Sequence, residues 1–154
     1  MHRRTALLSI TAAFLMMAFL VAPLYGKEDR ITTPKEFGTY IKTSAGLKRL
    51  VPNMVQDEKG LIFVESNKPP VYALKDFEYF VVYGPRNMEV LTINPLLFIQ
   101  ASPLGKPRYI FGKNIEYVVQ KRGDNLFTIK PKGLMGRGYF CVWIEDTAWD
   151  FVIE

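Results

Sequence analysis

From Phe37 onward the chain is a succession of short β-rich runs broken by Gly, Pro, Asn or Asp, and no long window repeats apolar residues at the i, i+3, i+4, i+7 spacing of a helix. Breakers that close together leave room for hairpins and little for crossover helices, so the chain is confined to an all-β, mostly antiparallel fold. Strands are expected at 39–43, 47–51, 61–65, 71–74, 78–83, 90–93, 109–111, 116–121, 126–130, 139–144 and 149–153.

Two kinds of strand are distinguishable. Tyr139, Phe140, Cys141, Val142, Trp143 and Ile144 are apolar on both faces, as are Phe80, Val81, Val82 and Tyr83. Such runs belong in central strands, and either two opposed sheets or a closed barrel would cover both sides. In the last run Trp149, Phe151 and Ile153 alternate with Asp150, Val152 and Glu154, which predicts one core face and one wet face. The expected architecture is a β-sandwich, with a partly open β-barrel as the alternative.

The turns carry their own signals. Arg122-Gly123-Asp124-Asn125 sits between two strands, with Gly and Asp placed for a tight hairpin that needs φ > 0, and a second hairpin is expected at 145–147. Arg122-Gly123-Asp124 also spells a cell-binding tripeptide, but as a turn it needs no such role. Pro95, Pro103 and Pro107 interrupt the apolar stretch between Arg86 and Lys113, which predicts edge strands, bulges and long loops there.

Ahead of the domain, Arg3 and Arg4 precede 22 uncharged residues from Thr5 to Gly26, the order of basic head and apolar body found in a secretory signal. Cleavage is expected after Gly26. That stretch also falls within the roughly 17 to 25 residues able to span a bilayer, so an uncleaved inner-membrane anchor is the alternative. Residues 1–26 are therefore assigned as signal peptide or anchor, 27–36 as a polar linker, and 37–154 as a single β domain outside the cytoplasm, periplasmic or secreted.

Three stretches carry a resemblance. Gly38-Thr39-Tyr40-Ile41-Lys42-Thr43 with Gly46-Leu47-Lys48-Arg49-Leu50, then Phe77 to Gly84, then Phe127 to Leu134 with Gly138-Tyr139 and Trp149-Asp150-Phe151 resemble strands and hairpins of bacterial extracytoplasmic β domains of unknown function. The resemblance implies a β-sandwich-like fold and transfers no catalytic residue. Arg137 and Tyr139 stand where the pattern has Pro and Glu around its glycine.

The chemistry is constrained mainly by exclusion. His2 is the sole histidine and lies inside the expected signal, so histidine bases, Ser-His-Asp and Cys-His nucleophiles and histidine-ligated zinc have no residues in the exported domain. Cys141, the single cysteine, cannot form an intramolecular disulfide, and among aromatics it reads as a small buried apolar group. Residues 27–154 hold 18 basic and 15 acidic side chains, a surplus too small to indicate nucleic acid. No metal or cofactor is called for.

Three function classes survive. The leading expectation is a non-enzymatic binding or structural module of a bacterial envelope, whose partner is a protein, glycan or lipid. Its candidate site is an anion patch of Lys106, Arg108, Lys113, Lys121, Arg122, Lys130, Lys132 and Arg137, if those loops converge. A carboxylate-based glycan hydrolase would need two of Glu145, Asp146, Asp150, Asp76 and Glu78 to face one cleft. An amphiphile carrier would need the aromatic run Phe77 to Tyr83 to line a hollow. For an exposed carbohydrate or lipid platform, Tyr72, Tyr83 and Tyr109, each close to a proline, are the rings to examine for exposure.

Overall fold

The computed structural model describes residues 31–154; the expected signal or anchor, 1–26, and the first part of the linker lie outside the described residues. Residues Thr32–Glu154 form one compact unit of twelve strands. Five of them, β1 (Gly38–Thr43), β2 (Gly46–Arg49), β6 (Phe77–Tyr83), β9 (Tyr117–Gly123) and β10 (Leu126–Pro131), make an antiparallel sheet in the order β2-β1-β6-β10-β9.

Six others form a closed antiparallel barrel: β3 (Pro52–Glu58), β4 (Leu61–Glu65), β7 (Thr92–Ala101), β8 (Pro107–Phe111), β11 (Gly138–Ile144) and β12 (Thr147–Ile153). The ring runs β11-β7-β8-β4-β3-β12 and closes through the β11–β12 hairpin, in register from Gly138 opposite Ile153 to Ile144 opposite Thr147. The two-residue β5 (Val71–Tyr72) adds a parallel pairing along the end of β12. The all-β, antiparallel expectation holds, and the layer facing the five-stranded sheet is a barrel wall.

This arrangement explains the doubly apolar run at 139–144. Phe140, Val142 and Ile144 of β11, with Trp149, Phe151 and Ile153 of β12, point out of the barrel into the main core. There they meet Ile41, Phe80, Val82 and Ile129 from the five-stranded sheet. Tyr139, Cys141 and Trp143 point the other way, into the barrel, where they pack with Val64, Leu96, Ala148, Tyr109 and Phe111. The phenyl rings of Phe80 and Phe151, 5.2 Å apart, join the two layers.

The wet face expected for the last strand is therefore corrected. Asp150 is 2% exposed, because the face of β12 opposite the core looks into a closed barrel and not into solvent. Its carboxyl oxygens accept hydrogen bonds from Asn53 Nδ2, Ser66 Oγ and the Tyr139 hydroxyl. Three donors converging on one acid satisfy a group that would otherwise be costly to bury.

The same network accounts for a strand absent from the sequence reading. β3 alternates Asn53, Val55 and Asp57 on one side with Pro52, Met54 and Gln56 on the other, which lacks an apolar stripe because its inward asparagine serves Asp150. Its hairpin to β4 turns at Lys59 (φ 55) and Gly60 (φ 87), both left-handed, as a two-residue turn matched to strand twist requires. At the β9–β10 turn the left-handed residue is Asn125 (φ 54), not the glycine or aspartate the motif suggested.

β7 is longer than expected, since it runs through Pro95. Thr92 to Pro95 pair with β11, and from Leu96 the strand pairs with β8. The proline sits at that change of neighbour, and its carbonyl accepts from Gly112 N–H at 2.7 Å. A bulge between Phe98 and Gln100 is the irregularity that the prolines foretold.

Two measurements check this interior. Asp150→Ala strands the Asn53, Ser66 and Tyr139 donors, so denaturant unfolding should show a loss of about 3 kcal/mol or more; a loss below about 0.5 kcal/mol would contradict the buried network.

The second is pH. Burial pushes the Cys141 thiol above its ordinary 9.0, with Asp150 adding to the rise. Burial, then the bond to Asp150, push the Tyr139 phenol above its ordinary 10.0. The folded state keeps both protons where the unfolded chain sheds them, so the stability these two groups contribute is level below about pH 9 and falls progressively above it. The Cys141→Ala, Tyr139→Phe pair should reduce that alkaline slope, leaving the part carried by Tyr40, Tyr72 and Tyr117, whose phenols burial also pushes up, and native Cys141 should react with a thiol reagent only at the rate of unfolding.

Candidate functional site

The anion patch expected from the sequence divides in space. Lys106 and Arg108 belong to the β7–β8 hairpin of the barrel, Lys121, Arg122 and Lys130 to the β9–β10 ribbon with Lys132 just beyond it, and Lys113 and Arg137 to connecting segments. Arg108 is already engaged: it bonds Glu65 at 3.0 Å and Glu58 at 3.1 Å, and its guanidinium lies 4.5 Å from the centre of the Phe63 ring. Arg122 bonds Gln120 at 2.6 Å, and Lys132 approaches Glu116 at 3.5 Å.

The candidate carboxylates are dispersed as well. Asp150 is inside the barrel. Asp76, just before β6, accepts from Ser44, and Glu78 pairs with Lys42 on the five-stranded sheet at 2.9 Å. Glu145 and Asp146 form the turn between β11 and β12. The aromatic run Phe77 to Tyr83 is packed: Phe80 and Val82 are in the main core and Phe77 rests on Phe80 at 5.0 Å. Tyr72, Tyr83 and Tyr109 are each half-buried. Among the described residues no group of three His, Cys, Asp or Glu is placed to hold a metal.

What the fold does assemble is a cleft of about 290 Å³ where the five-stranded sheet meets the barrel. It is lined by Phe37, Gly38, Arg49, Leu50, Pro52, Tyr83, Gly84, Pro85, Arg86 and Trp149. The pairing of Gly38 with Tyr83 brings the start of β1 beside the end of β6, and the chain from Arg49 to Pro52 carries β2 over into the barrel. Gly84 is required here. Its φ is +136°, and a Cβ would lie 3.3 Å from the Phe37 side chain.

Two arginines give the cleft its charge. Arg49 bonds Glu36 at 2.5 Å and the Phe37 carbonyl at 3.0 Å. Gly38 lets it settle, since a Cβ there would stand 3.0 Å from Arg49 Nε. Arg86 lies over the Trp149 ring at 5.5 Å and approaches Glu145 at 3.6 Å. The side chains are 53% and 39% exposed. Exposed ion pairs contribute little, typically below about 1 kcal/mol, so an incoming carboxylate can compete with Glu36 and Glu145 for both guanidiniums. Phe37 and Val51, 57% and 67% exposed, supply apolar surface at the cleft and beside it.

Arg49 and Arg86 are absent from the patch read in the sequence. They stand 37 positions apart, in a hairpin and a Gly-Pro break, and only the β1–β6 register relates them. Comparison of the chain with family models, with curated proteins and with solved structures finds no match.

Gly84→Ala imposes a left-handed alanine against Phe37. Thermal unfolding should show a loss of about 1 to 3 kcal/mol; an unchanged midpoint would mean the corner relaxes freely and does not fix the cleft.

Proposed function

We propose that this protein is a non-enzymatic recognition module of a bacterial envelope, exported by residues 1–26 and either released or tethered by them. It binds a partner protein through a carboxylate flanked by apolar residues, taken up in the Arg49–Arg86 cleft. The layered β scaffold, working as a β-sandwich does, holds loops and strand ends rigid while they do the binding.

The observation that carries this reading is the pair of exposed guanidiniums beside Phe37, Val51 and Pro52, each paired with a surface carboxyl group that a ligand can replace, while the Phe37 carbonyl and the Trp149 ring keep Arg49 and Arg86 in place. Arginine forks match carboxylates in two-point fashion, and interface anchors favour Arg and aromatic residues. The hydrolase alternative lacks this kind of support, because Asp150 is buried and Asp76, Glu78 and the Glu145–Asp146 turn do not meet in this cleft. The carrier alternative lacks it too, since Phe80 and Val82 are in packed core.

The test is site-specific crosslinking in the native envelope. A photo-reactive phenylalanine analogue at position 37 should give protein adducts, and Arg49→Gln with Arg86→Gln should lower their yield on the order of tenfold, the loss expected from charge-assisted hydrogen bonds. Adducts of equal yield from position 59 on the β3–β4 turn, or adducts only with lipid or glycan, would overturn the reading.

A further inference from the structure

Each strand of the barrel has a neighbour on either side, whereas among the described residues the five-stranded sheet ends in two open edges, β2 and β9. β2 has four residues and β9 has seven. An open strand of that length is either guarded against pairing or used for it.

The register shows which backbone groups are open. Lys132 N–H donates to the Glu116 carbonyl at 2.8 Å, just beyond the paired residues, and Val118 and Gln120 stand opposite Lys130 and Thr128. Antiparallel pairs alternate between bonded and non-bonded, so Glu116, Val118 and Gln120 turn their backbone groups to β10. Those of Tyr117, Val119 and Lys121 then face the edge. Beside it on the outer face lies a groove of about 320 Å³, lined by Val118, Gln120, Thr128, Lys130, Pro131 and Lys132.

Charge selects the occupant. Lys121, Arg122, Lys130 and Lys132 are all exposed on or next to this ribbon, with Glu116 and Asp124 at its two ends. We propose that β9 is a docking edge for an extended acidic segment of a partner protein, which adds as a sixth strand to the sheet. Its backbone pairs with Tyr117, Val119 and Lys121, its acidic side chains share the outer face with Lys130 and Lys132, and its apolar ones alternate onto the other face beside Tyr117 and Val119. A second copy of β9 is the less suitable occupant, because it would bring the same cations together. This site lies on the other edge of the sheet from β2, beyond reach of a peptide seated only between Arg49 and Arg86.

The experiment uses the full-length chain in detergent micelles and a capped six-residue peptide alternating glutamate and valine. Hydrogen exchange should slow at least tenfold at the amides of Tyr117, Val119 and Lys121 and stay unchanged at Val118 and Gln120. A lysine-valine peptide should give no protection. Lys130→Glu with Lys132→Glu, both at exposed positions, should weaken binding on the order of tenfold, while Arg49→Gln with Arg86→Gln should leave it intact. No protection with the acidic peptide, protection confined to the Arg49–Arg86 cleft, or protection that rises with protein concentration in the absence of peptide would each overturn the proposal.

Discussion

The β11–β12 hairpin is buried on both faces, and the rest of the architecture follows from that. Outward, Phe140, Val142, Trp149 and Phe151 form the wall against which the five-stranded sheet packs; inward, Tyr139, Cys141, Ala148 and Asp150 form part of the barrel's filling. A strand pair with no wet face needs two separate bodies of protein to cover it. The barrel closes on one side, the sheet docks on the other, and the Phe80–Phe151 contact joins them.

A barrel of six strands has a narrow interior, and here it is filled partly by polar groups. Asp150 draws together Asn53 from β3, Ser66 from beyond the end of β4 and Tyr139 from β11, so one acid ties three separate parts of the ring. Directional bonds of this kind fix register in a way that apolar contacts alone do not, since a one-residue slip of β3 would turn Asn53 to the outside. The elevated proton affinities of Cys141 and Tyr139 have the same origin, burial beside an acid.

Local pattern made most strands legible: β4 at 61–65 coincides with its expected bounds, and the Trp149, Phe151, Ile153 stripe faces the core as its period requires. What stayed hidden depended on partners distant in sequence. β3 reads as polar partly because its inward Asn53 answers to Asp150, 97 positions away. Pro95 looks like a breaker because nothing local says that the strand changes neighbour there. Asp150 looks wet because alternation alone cannot tell solvent from the inside of a barrel. The cleft was hidden for the same reason, since Arg49 and Arg86 meet only once β1 and β6 are paired. The basic residues that sequence does reveal separate into a barrel hairpin, where Arg108 is consumed by Glu58 and Glu65, and the β9–β10 ribbon, where they line an open edge.

Both candidate surfaces lie where the layers or the sheet end. All of it rests on β11 and β12 holding barrel and sheet together. The most direct test is native-state hydrogen exchange resolved by residue. The amides of Cys141, Val142, Trp149 and Phe151 should exchange only through global unfolding and share the highest protection in the protein. Exchange of those amides at the rate of exposed turns, while β1 and β6 remain protected, would contradict a closed barrel joined to the sheet through this hairpin.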